Sequence, residues 1–221
     1  NDFGSNWTVQ STEDYSRWQG WFSHDVAVSP TDPDRLIAIG INVWGSFNGG
    51  NSLTILTEGG VGFANPPIEG PDGSPLYVHS DAHDVIYHPT DPNKVYVASD
   101  GGIHRSDDGG ITWYSANGGY QTAQFYNGVS TSQNSTDFFI GGLQDNGTIK
   151  WNGDLTWTRV LGGDGSWTAV HPGTDNIFFS SSQRLNIAKT INGGNNFFGL
   201  SLDGGFVDPV SFIAPYVIAP S

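Results

Sequence analysis

The chain has no cysteine and no methionine among its 221 residues, so disulfide bonds and thiol chemistry take no part in its folding or function. Basic residues are scarce. The 8 lysines and arginines stand against 22 aspartates and glutamates, which leaves a formal net charge of −14. This charge repels polyphosphate and anionic lipid, so we expect no nucleic-acid binding. No apolar run approaches the ~20 residues of a membrane-spanning helix, so we expect no membrane insertion.

A turn signature recurs along the chain. It consists of a hydroxyl residue, an Asp or Asn two positions later, a Gly two positions after that, and a large apolar residue three positions further on. In a β-hairpin the Asx side chain accepts backbone N–H bonds, the Gly adopts a positive φ and the apolar residue anchors the next strand. The copies occupy residues 2–7, which begins at its acid, then 46–53, 106–113 and 190–197, with a degraded copy at 150–157 that keeps Asn152 and Trp157.

The spacing of these copies predicts the architecture. The closing apolar residues are Trp7, Leu53, Trp113, Trp157 and Phe197, so 46, 60, 44 and 40 residues separate successive copies. Periods near 40 without helical periodicity are typical of propeller blades. In the third repeat, strands A to D are predicted at 84–87, 94–98, 102–105 and 111–114, and the A–B turn at 88–93 recurs at 29–34 and 171–176.

We therefore predict an all-β fold, a β-propeller of four-stranded antiparallel blades with Asp-box turns. The chain would form a partial propeller of about four to five blades. The predicted boundaries are a blade end at 1–15, a blade at 20–57, an insertion loop at 58–78, blades at 79–118, 120–160 and 163–203, and the start of a further blade at 206–221. Strands are expected at 7–9 and 212–218, and the remaining blades of the same parent chain are expected partners.

Several segments resemble a known family. The turn at 88–93, the run Val-Tyr-Val-Ala-Ser-Asp-Gly-Gly at 95–102 and the box at 106–113 resemble Asp-box (bacterial neuraminidase repeat) propellers, which include sialidases, xyloglucan-hydrolysing glycosidases and sortilin-like receptors. Residues 79–83, 141–148 and 162–165 resemble large secreted bacterial propeller proteins labelled glycosyl hydrolases. The resemblance implies an extracellular or cell-surface location and a polysaccharide or surface glycan as partner. The three-arginine clamp of sialidases is not found, which disfavours that activity.

The functional face is expected opposite the Asp boxes. In a four-stranded blade the A–B and C–D turns lie at one end, so the B–C turns and D–A connections lie at the other, which we call the open face. Internal repetition helps to separate scaffold from site, because His24, Asp25 and Asp84 belong to a duplicated segment and are interpreted as structural. Carboxylates without a repeated counterpart are the better candidates for function.

Besides the disfavoured sialidase activity, three interpretations compete for this face. As a glycosidase, the chain would use Asp100 as base, since its turn resembles the catalytic-Asp turn of the xyloglucan-hydrolysing family, with Asp164 or Asp145 as acid. The alternative is that Asp100 caps its own turn. As a metal site, His79, Asp81 and His83 would lie on one side of an extended strand and hold calcium or zinc, and Asp145, Asn146 and Asp164 would also suit calcium.

The remaining interpretation is a non-enzymatic binding or adhesion module, for a glycan or for another protein. Aromatic rings beside open-face connections can stack on sugars, and inter-blade packing is the alternative role for them. The predicted ligand-binding residues are His79, Asp81, His83, Asn146, Trp21, Trp44 and Trp167.

Overall fold

The structure is a computed structural model that describes residues 4–57, 74–120, 123–201 and 209–219. The chain divides into two compact units, residues 1–120 and 121–221. The first unit contains β1 Asp25–Val28, β2 Leu36–Ile39, β3 Val43–Ser46, β4 Thr54–Ile55, β5 Ala82–His88, β6 Asp91–Ser99, β7 Gly102–Ser106 and β8 Tyr114–Ser115. The second contains β9 Ser130–Thr131, β10 Phe139–Leu143, β11 Gly147–Trp151, β12 Trp157–Leu161, β13 Thr168–Val170, β14 Phe178–Ser182, β15 Asn186–Thr190 and β16 Phe198–Gly199.

These strands form four four-stranded sheets, each with its strands in chain order. All neighbouring strands are antiparallel. The only helical segments in the described part of the chain are two 3₁₀ turns, Arg17–Gln19 and Gln183–Leu185. Up-and-down sheets of four strands are the blades of β-propellers. The chain is therefore all-β and consistent with a partial β-propeller, as predicted; we call the sheets blades one to four in chain order.

The three complete turn signatures form the predicted hydrogen bonds. In the β7–β8 connection, Asp108 Oδ1 accepts the N–H groups of Ile111 and Thr112 at 3.0 and 2.8 Å. Asn48 and Asn192 accept the N–H groups of Ser52 and Asn196 in the corresponding turns, both at 3.0 Å. The following glycine pairs all have positive φ. We call these three connections the Asx turns.

The last strand of blade two begins later than predicted. The sequence places strand D at 111–114, whereas β8 is Tyr114–Ser115. Asp108 provides the physical reason, because its carboxylate takes the N–H groups of Ile111 and Thr112 that a strand would donate to its neighbour.

The degraded turn copy retains Asn152 in its sequence, but the side chain that closes the β11–β12 turn is Asp154. Its Oδ1 accepts the backbone N–H and the hydroxyl of Thr156, both at 2.7 Å. Trp151 donates its indole N–H to the Asp154 carbonyl.

Each unit has its own hydrophobic core between its two blades. In the first unit, Ile37, Ile39 and Val43 of blade one pack with a larger set from blade two and its entry, namely Val78, Ala82, Val85, Val95, Val97 and Trp113. In the second unit, Phe138 and Ile140 of blade three pack against Phe178 of blade four. Alternation along the strands places these side chains on the face that meets the neighbouring blade.

Strands are not formed at either predicted chain-end position. In the described part of the chain, residues 7–9 and 212–218 do not pair with another strand, and a strand needs a neighbour to hydrogen-bond. The later segment is nevertheless anchored. Arg184 donates its N–H to the Phe212 carbonyl at 2.9 Å, and the Tyr216 hydroxyl donates to the Trp167 carbonyl at 2.8 Å.

Parts of the predicted domain map lie outside the described residues. In the first unit these are residues 1–3 and residues 58–73 of the expected insertion loop. In the second unit they are residues 121–122 of the blade expected at 120–160, residues 202–203 of the blade expected at 163–203, and residues 206–208 and 220–221 of the expected further blade. No helix in the described part of the chain is long and apolar enough to span a membrane.

Candidate functional site

The sequence-predicted site residues fall in both units. His79, Asp81, His83 and Asp100 belong to the first unit, with Trp21 and Trp44. Asp145, Asn146, Asp164 and Trp167 belong to the second unit. Within each unit the structure brings some of these side chains into direct contact, and the two groups are described separately.

Asp100 is paired with a histidine of the neighbouring strand. It lies in the two-residue turn between β6 and β7, and its Oδ1 is 2.7 Å from Nε2 of His83, on β5. His83 thus holds the Asp100 carboxylate from outside the turn. The interpretation that Asp100 serves only its own glycine turn is too narrow, because this contact spans 17 residues of sequence.

Aromatic rings extend this pair toward solvent. The Phe22 ring packs edge-on against His83, with 4.8 Å between ring centroids and 87° between ring planes. Trp21 follows at 5.5 Å from Phe22. Trp21 is 84% exposed and Phe22 46% exposed. We call Trp21, Phe22, His83 and Asp100 the aromatic–acid cluster. Sequence analysis missed Phe22, although its position next to Trp21 was the available signal.

The turn that carries Asp100 is held from two further sides. Asn117, just after β8, accepts the Ile103 N–H through Oδ1 at 2.8 Å and donates Nδ2–H to the Gly101 carbonyl at 3.0 Å. On the other side, a Cβ added to Gly101 would lie 2.4 Å from the His79 side chain. Glycine is therefore required at 101, and Asn117 is a second residue that sequence analysis missed.

The predicted alternation of His79, Asp81 and His83 is wrong in its geometry. Asp81 has a φ of 59°, in the left-handed region, so the segment is not a continuous extended strand. Strand β5 begins only at Ala82 and has a register shift between Ala82 and Asp84. His83 Nε2 contacts Asp100, and His79 Nδ1 lies 3.0 Å from the Ser80 carbonyl oxygen. A metal at these three residues stays a prediction.

A buried histidine lies close to this region. His104, on β7, is only 3% exposed, and its ring is 6.0 Å from that of Tyr77. Burial, with a smaller contribution from nearby His79, lowers the pKa of His104 to about 4. Its Nδ1 has no hydrogen-bond partner among the described residues. The imidazole is therefore neutral at pH 7.

In the second unit, Asp164 connects two open-face turns. Its Oδ1 accepts the backbone N–H of Asp145 at 3.0 Å, and its Oδ2 accepts a hydrogen bond from the Gln183 side chain. Asp145 lies between β10 and β11, and Gln183 lies between β14 and β15. Asp164 therefore links blade three to blade four. Asn146 donates Nδ2–H to the Gln144 carbonyl at 3.0 Å.

The glycines around Asp164 allow very close backbone packing. A Cβ on Gly165 would lie 1.9 Å from the Gly147 carbonyl oxygen, and one on Gly142 would lie 2.1 Å from that of Ser166. Real Cβ atoms do not approach so closely, so these positions require glycine. Within the Gly-Gly-Asp-Gly run at 162–165, Gly165 thus has a packing role.

Two of the predicted sugar-stacking rings are less available than expected. Trp44 lies on β3 and is only 6% exposed, because both faces of that strand are covered. This corrects the expectation of an exposed ring. Trp167 is half-buried, and its carbonyl oxygen accepts hydrogen bonds from Ser181 and Tyr216.

The structural interpretation of Asp25 is confirmed. Its Oδ2 accepts the backbone N–H of Val85 at 3.1 Å, which connects strand A of blade one to strand A of blade two.

Comparisons with known proteins found solved structures of low similarity. No family model matches, and no curated protein matches. Among solved structures, an ancestral GH74 enzyme is 16% identical with a TM-score of 0.33, over 78% of this chain and 23% of that one. The GH74 xyloglucanase from Xanthomonas campestris is 15% identical with a TM-score of 0.32, over 80% of this chain and 30% of that one. YCF48 from Cyanidioschyzon merolae is 22% identical with a TM-score of 0.29, over 60% of this chain and 39% of that one.

The chain thus spans between 23% and 39% of the length of these three structures. At such identities and TM-scores, the matches carry no function to this chain.

Proposed function

We propose that this chain is part of an extracellular propeller protein that binds polysaccharide or a surface glycan at the open face, through the aromatic–acid cluster of its first unit. The observation that carries the proposal is the contact chain from Trp21 through Phe22 and His83 to Asp100. The acidic composition and the absence of cysteine are compatible with an extracellular location, which is part of the proposal.

Sugar recognition needs an apolar ring face and nearby polar groups. Exposed Trp21 supplies ring surface for the C–H face of a pyranose, and Phe22 supports it from the side toward His83. Asp100 supplies a carboxylate that can accept hydroxyl hydrogen bonds besides the contact with His83. Because Asp100 is fixed by His83 and its turn by Asn117, little ordering is needed on binding.

The Asp164 carboxylate of the second unit fits a structural role better than a catalytic one. Both oxygens of Asp164 already accept hydrogen bonds from neighbouring turns, and this ties the side chain to the scaffold. We therefore rank binding above hydrolysis. Hydrolysis remains the second candidate because Asp100 is held in a defined orientation by His83, as a reactive carboxylate needs to be. Calcium at Asp145, Asn146 and Asp164 stays a prediction.

The test is affinity electrophoresis of the protein through gels that contain individual neutral or acidic polysaccharides. At least one polysaccharide should retard the wild type, and Trp21→Ala should lose about tenfold in affinity, equivalent to about 1.4 kcal/mol. Trp7→Ala is the matched control, because Trp7 is also highly exposed but lies in the first turn copy. Equal retardation of both variants, or no retardation of the wild type by any polysaccharide, would overturn the proposal.

Hydrolysis is tested on the same polysaccharides by release of reducing ends. If the chain is catalytic, Asp100→Asn should abolish release while retardation in the gel persists. If no reducing ends appear but retardation is seen, the chain binds without turnover. If no polysaccharide binds and Trp21→Ala instead weakens attachment to a protein ligand or a cell surface, protein adhesion replaces glycan binding as the function.

A further inference from the structure

Six Asn–Gly dipeptides occur in the chain, beginning at Asn48, Asn117, Asn127, Asn146, Asn152 and Asn192. In such a pair the glycine amide nitrogen can attack the side-chain carbonyl carbon of the asparagine. A ring C–N bond forms, the bond to the side-chain nitrogen breaks, and ammonia leaves. Water then opens the succinimide at either carbonyl and produces aspartate or isoaspartate. Glycine favours the reaction because it has no side chain to hinder the ring.

Two of the six pairs are restrained by the Asx turns. Gly49 N–H donates to the Asp34 carbonyl and Gly193 N–H to the Asn176 carbonyl, both at 3.0 Å. The reaction needs this nitrogen to lose its proton, which would break the hydrogen bond. The Oδ1 atoms of Asn48 and Asn192 also each accept a backbone N–H at 3.0 Å, which fixes the carbonyl that must be attacked.

Two more pairs are restrained through the asparagine side chain. The side-chain amide of Asn117 accepts a hydrogen bond from the Ile103 N–H and donates one to the Gly101 carbonyl. Asn146 is half-buried and donates to the Gln144 carbonyl, and Gly147 after it is buried in β11. Each of these side chains must leave its hydrogen bonds before its carbonyl carbon can approach the next nitrogen.

Asn127 and Asn152 differ from the other four. Both are exposed. In the described part of the chain, no hydrogen bond holds either side chain, and neither Gly128 nor Gly153 has its N–H bonded. Gly128 and Gly153 have positive φ values, 75° and 92°, and share this feature with Gly49, Gly147 and Gly193. In the described part of the chain, ring closure at these two positions therefore breaks no hydrogen bond of the asparagine side chain or of the glycine N–H.

We propose that Asn127 and Asn152 are sites of spontaneous deamidation in the folded protein, with water as the only co-reactant, and that the other four Asn–Gly pairs are protected by their contacts. Each event adds one negative charge. An isoaspartate at 152 also inserts a methylene into the main chain of the β11–β12 turn, next to Trp151 and close to the Asp154 cap.

The experiment is incubation of the native protein at pH 8 and 37 °C, followed by trypsin cleavage and mass spectrometry of each Asn–Gly site over time. Residues 151–159 form a tryptic peptide with a single Asn–Gly pair, and fragmentation separates the three pairs within 106–150. Asn127 and Asn152 should convert at least about tenfold faster than Asn48 and Asn192, the rate equivalent of one hydrogen bond of about 1.4 kcal/mol.

Two controls tie the difference to structure. In 8 M urea all six sites should convert at rates within a few-fold of each other, because each is an Asn–Gly pair. Ser46→Ala removes the hydroxyl that donates to Asn48 Oδ1 at 3.0 Å, so it should accelerate conversion at Asn48 but not at Asn192. The proposal would be overturned if Asn48 and Asn192 converted as fast as Asn127 and Asn152 in the native protein. It would also be overturned if the rates at the six sites differed as widely in urea as in the native protein.

Discussion

The backbone N–H of Gly109 donates a 2.7 Å hydrogen bond to the carbonyl oxygen of Asn93. This contact joins the Asx turn of blade two to the A–B turn of the same blade. The same bond occurs from Gly49 to Asp34 and from Gly193 to Asn176, both at 3.0 Å. The two turn motifs therefore recur together because the first glycine of one is hydrogen-bonded to the last residue of the other.

Gly109→Ala tests this connection. Gly109 has a φ of 76°, and an added Cβ would lie 2.6 Å from the Arg35 guanidinium. We expect a loss of about 1–2 kcal/mol of unfolding free energy, from the left-handed conformation alone. The measurement is urea denaturation. Gly118→Ala is the control, because an added Cβ there meets nothing within 4 Å and its φ is not positive. Equal stability of the two variants would contradict the expectation.

Asp108 should make the protein sensitive to acid. Burial acts to raise the pKa of Asp108, but hydrogen bonds from Thr112, Ser106 and Ile111 outweigh it and hold the pKa below its usual value. A lowered folded-state pKa contributes stability above the unfolded value, near pH 4, and that contribution is lost as the pH falls through the folded value.

Asp108→Asn should therefore keep most of the stability at pH 7 and reduce its decline below pH 4. The equivalent Asn48 and Asn192 show that an amide suits this turn. Asp108→Ala should cost about 1–3 kcal/mol at pH 7, because the N–H groups of Ile111 and Thr112 lose their acceptor. Denaturation curves from pH 2 to 7 check both, and identical acid profiles for wild type and Asp108→Asn would refute the assignment.

His104 should make the unfolding free energy depend on pH in a second, higher pH range. Burial keeps this imidazole neutral in the folded protein down to about pH 4, whereas the unfolded chain protonates near 6.5. Between these values the unfolded state binds more protons, so the unfolding free energy should rise as the pH is raised from about 4 to 6.5. His104→Phe should remove this part of the slope. His24→Gln, at an exposed histidine, should leave it unchanged.

Asp164→Ala distinguishes a structural from a catalytic carboxylate. If Asp164 links the turns of blades three and four, its loss should cost about 1–3 kcal/mol of stability. A double-mutant cycle with Gln183→Ala should show coupling between the two side chains. Asp137→Ala, at an exposed aspartate, is the control. A variant with unchanged stability but abolished polysaccharide cleavage would instead support the acid role predicted from the sequence.

Repetition made the blades predictable. The Asx turn and the A–B turn are local structures whose geometry depends on a few residues close in sequence, so Asp108 and Gly110 reveal it without knowledge of the fold. The prediction was less accurate where one residue has two possible partners. Ile111 looked like the start of a strand, but its N–H is used by Asp108 instead of by a neighbouring strand.

The candidate site was predicted only in part. Asp100 and His83 were both identified, but as members of a catalytic pair and a metal site, whereas they contact each other. Phe22 and Asn117 were missed because their roles depend on contacts with distant residues, His83 and Gly101. Trp44 was misjudged because its burial depends on the packing around β3.

The sequence by itself determined the all-β class, the repeated turns and the position of the first hairpin in blades one, two and four, since short-range hydrogen bonds and backbone conformation specify them. Tertiary structure decided which polar side chains meet. It paired His83 with Asp100 and placed Asp164 between two turns, because those contacts form only after separate strands and blades have packed together.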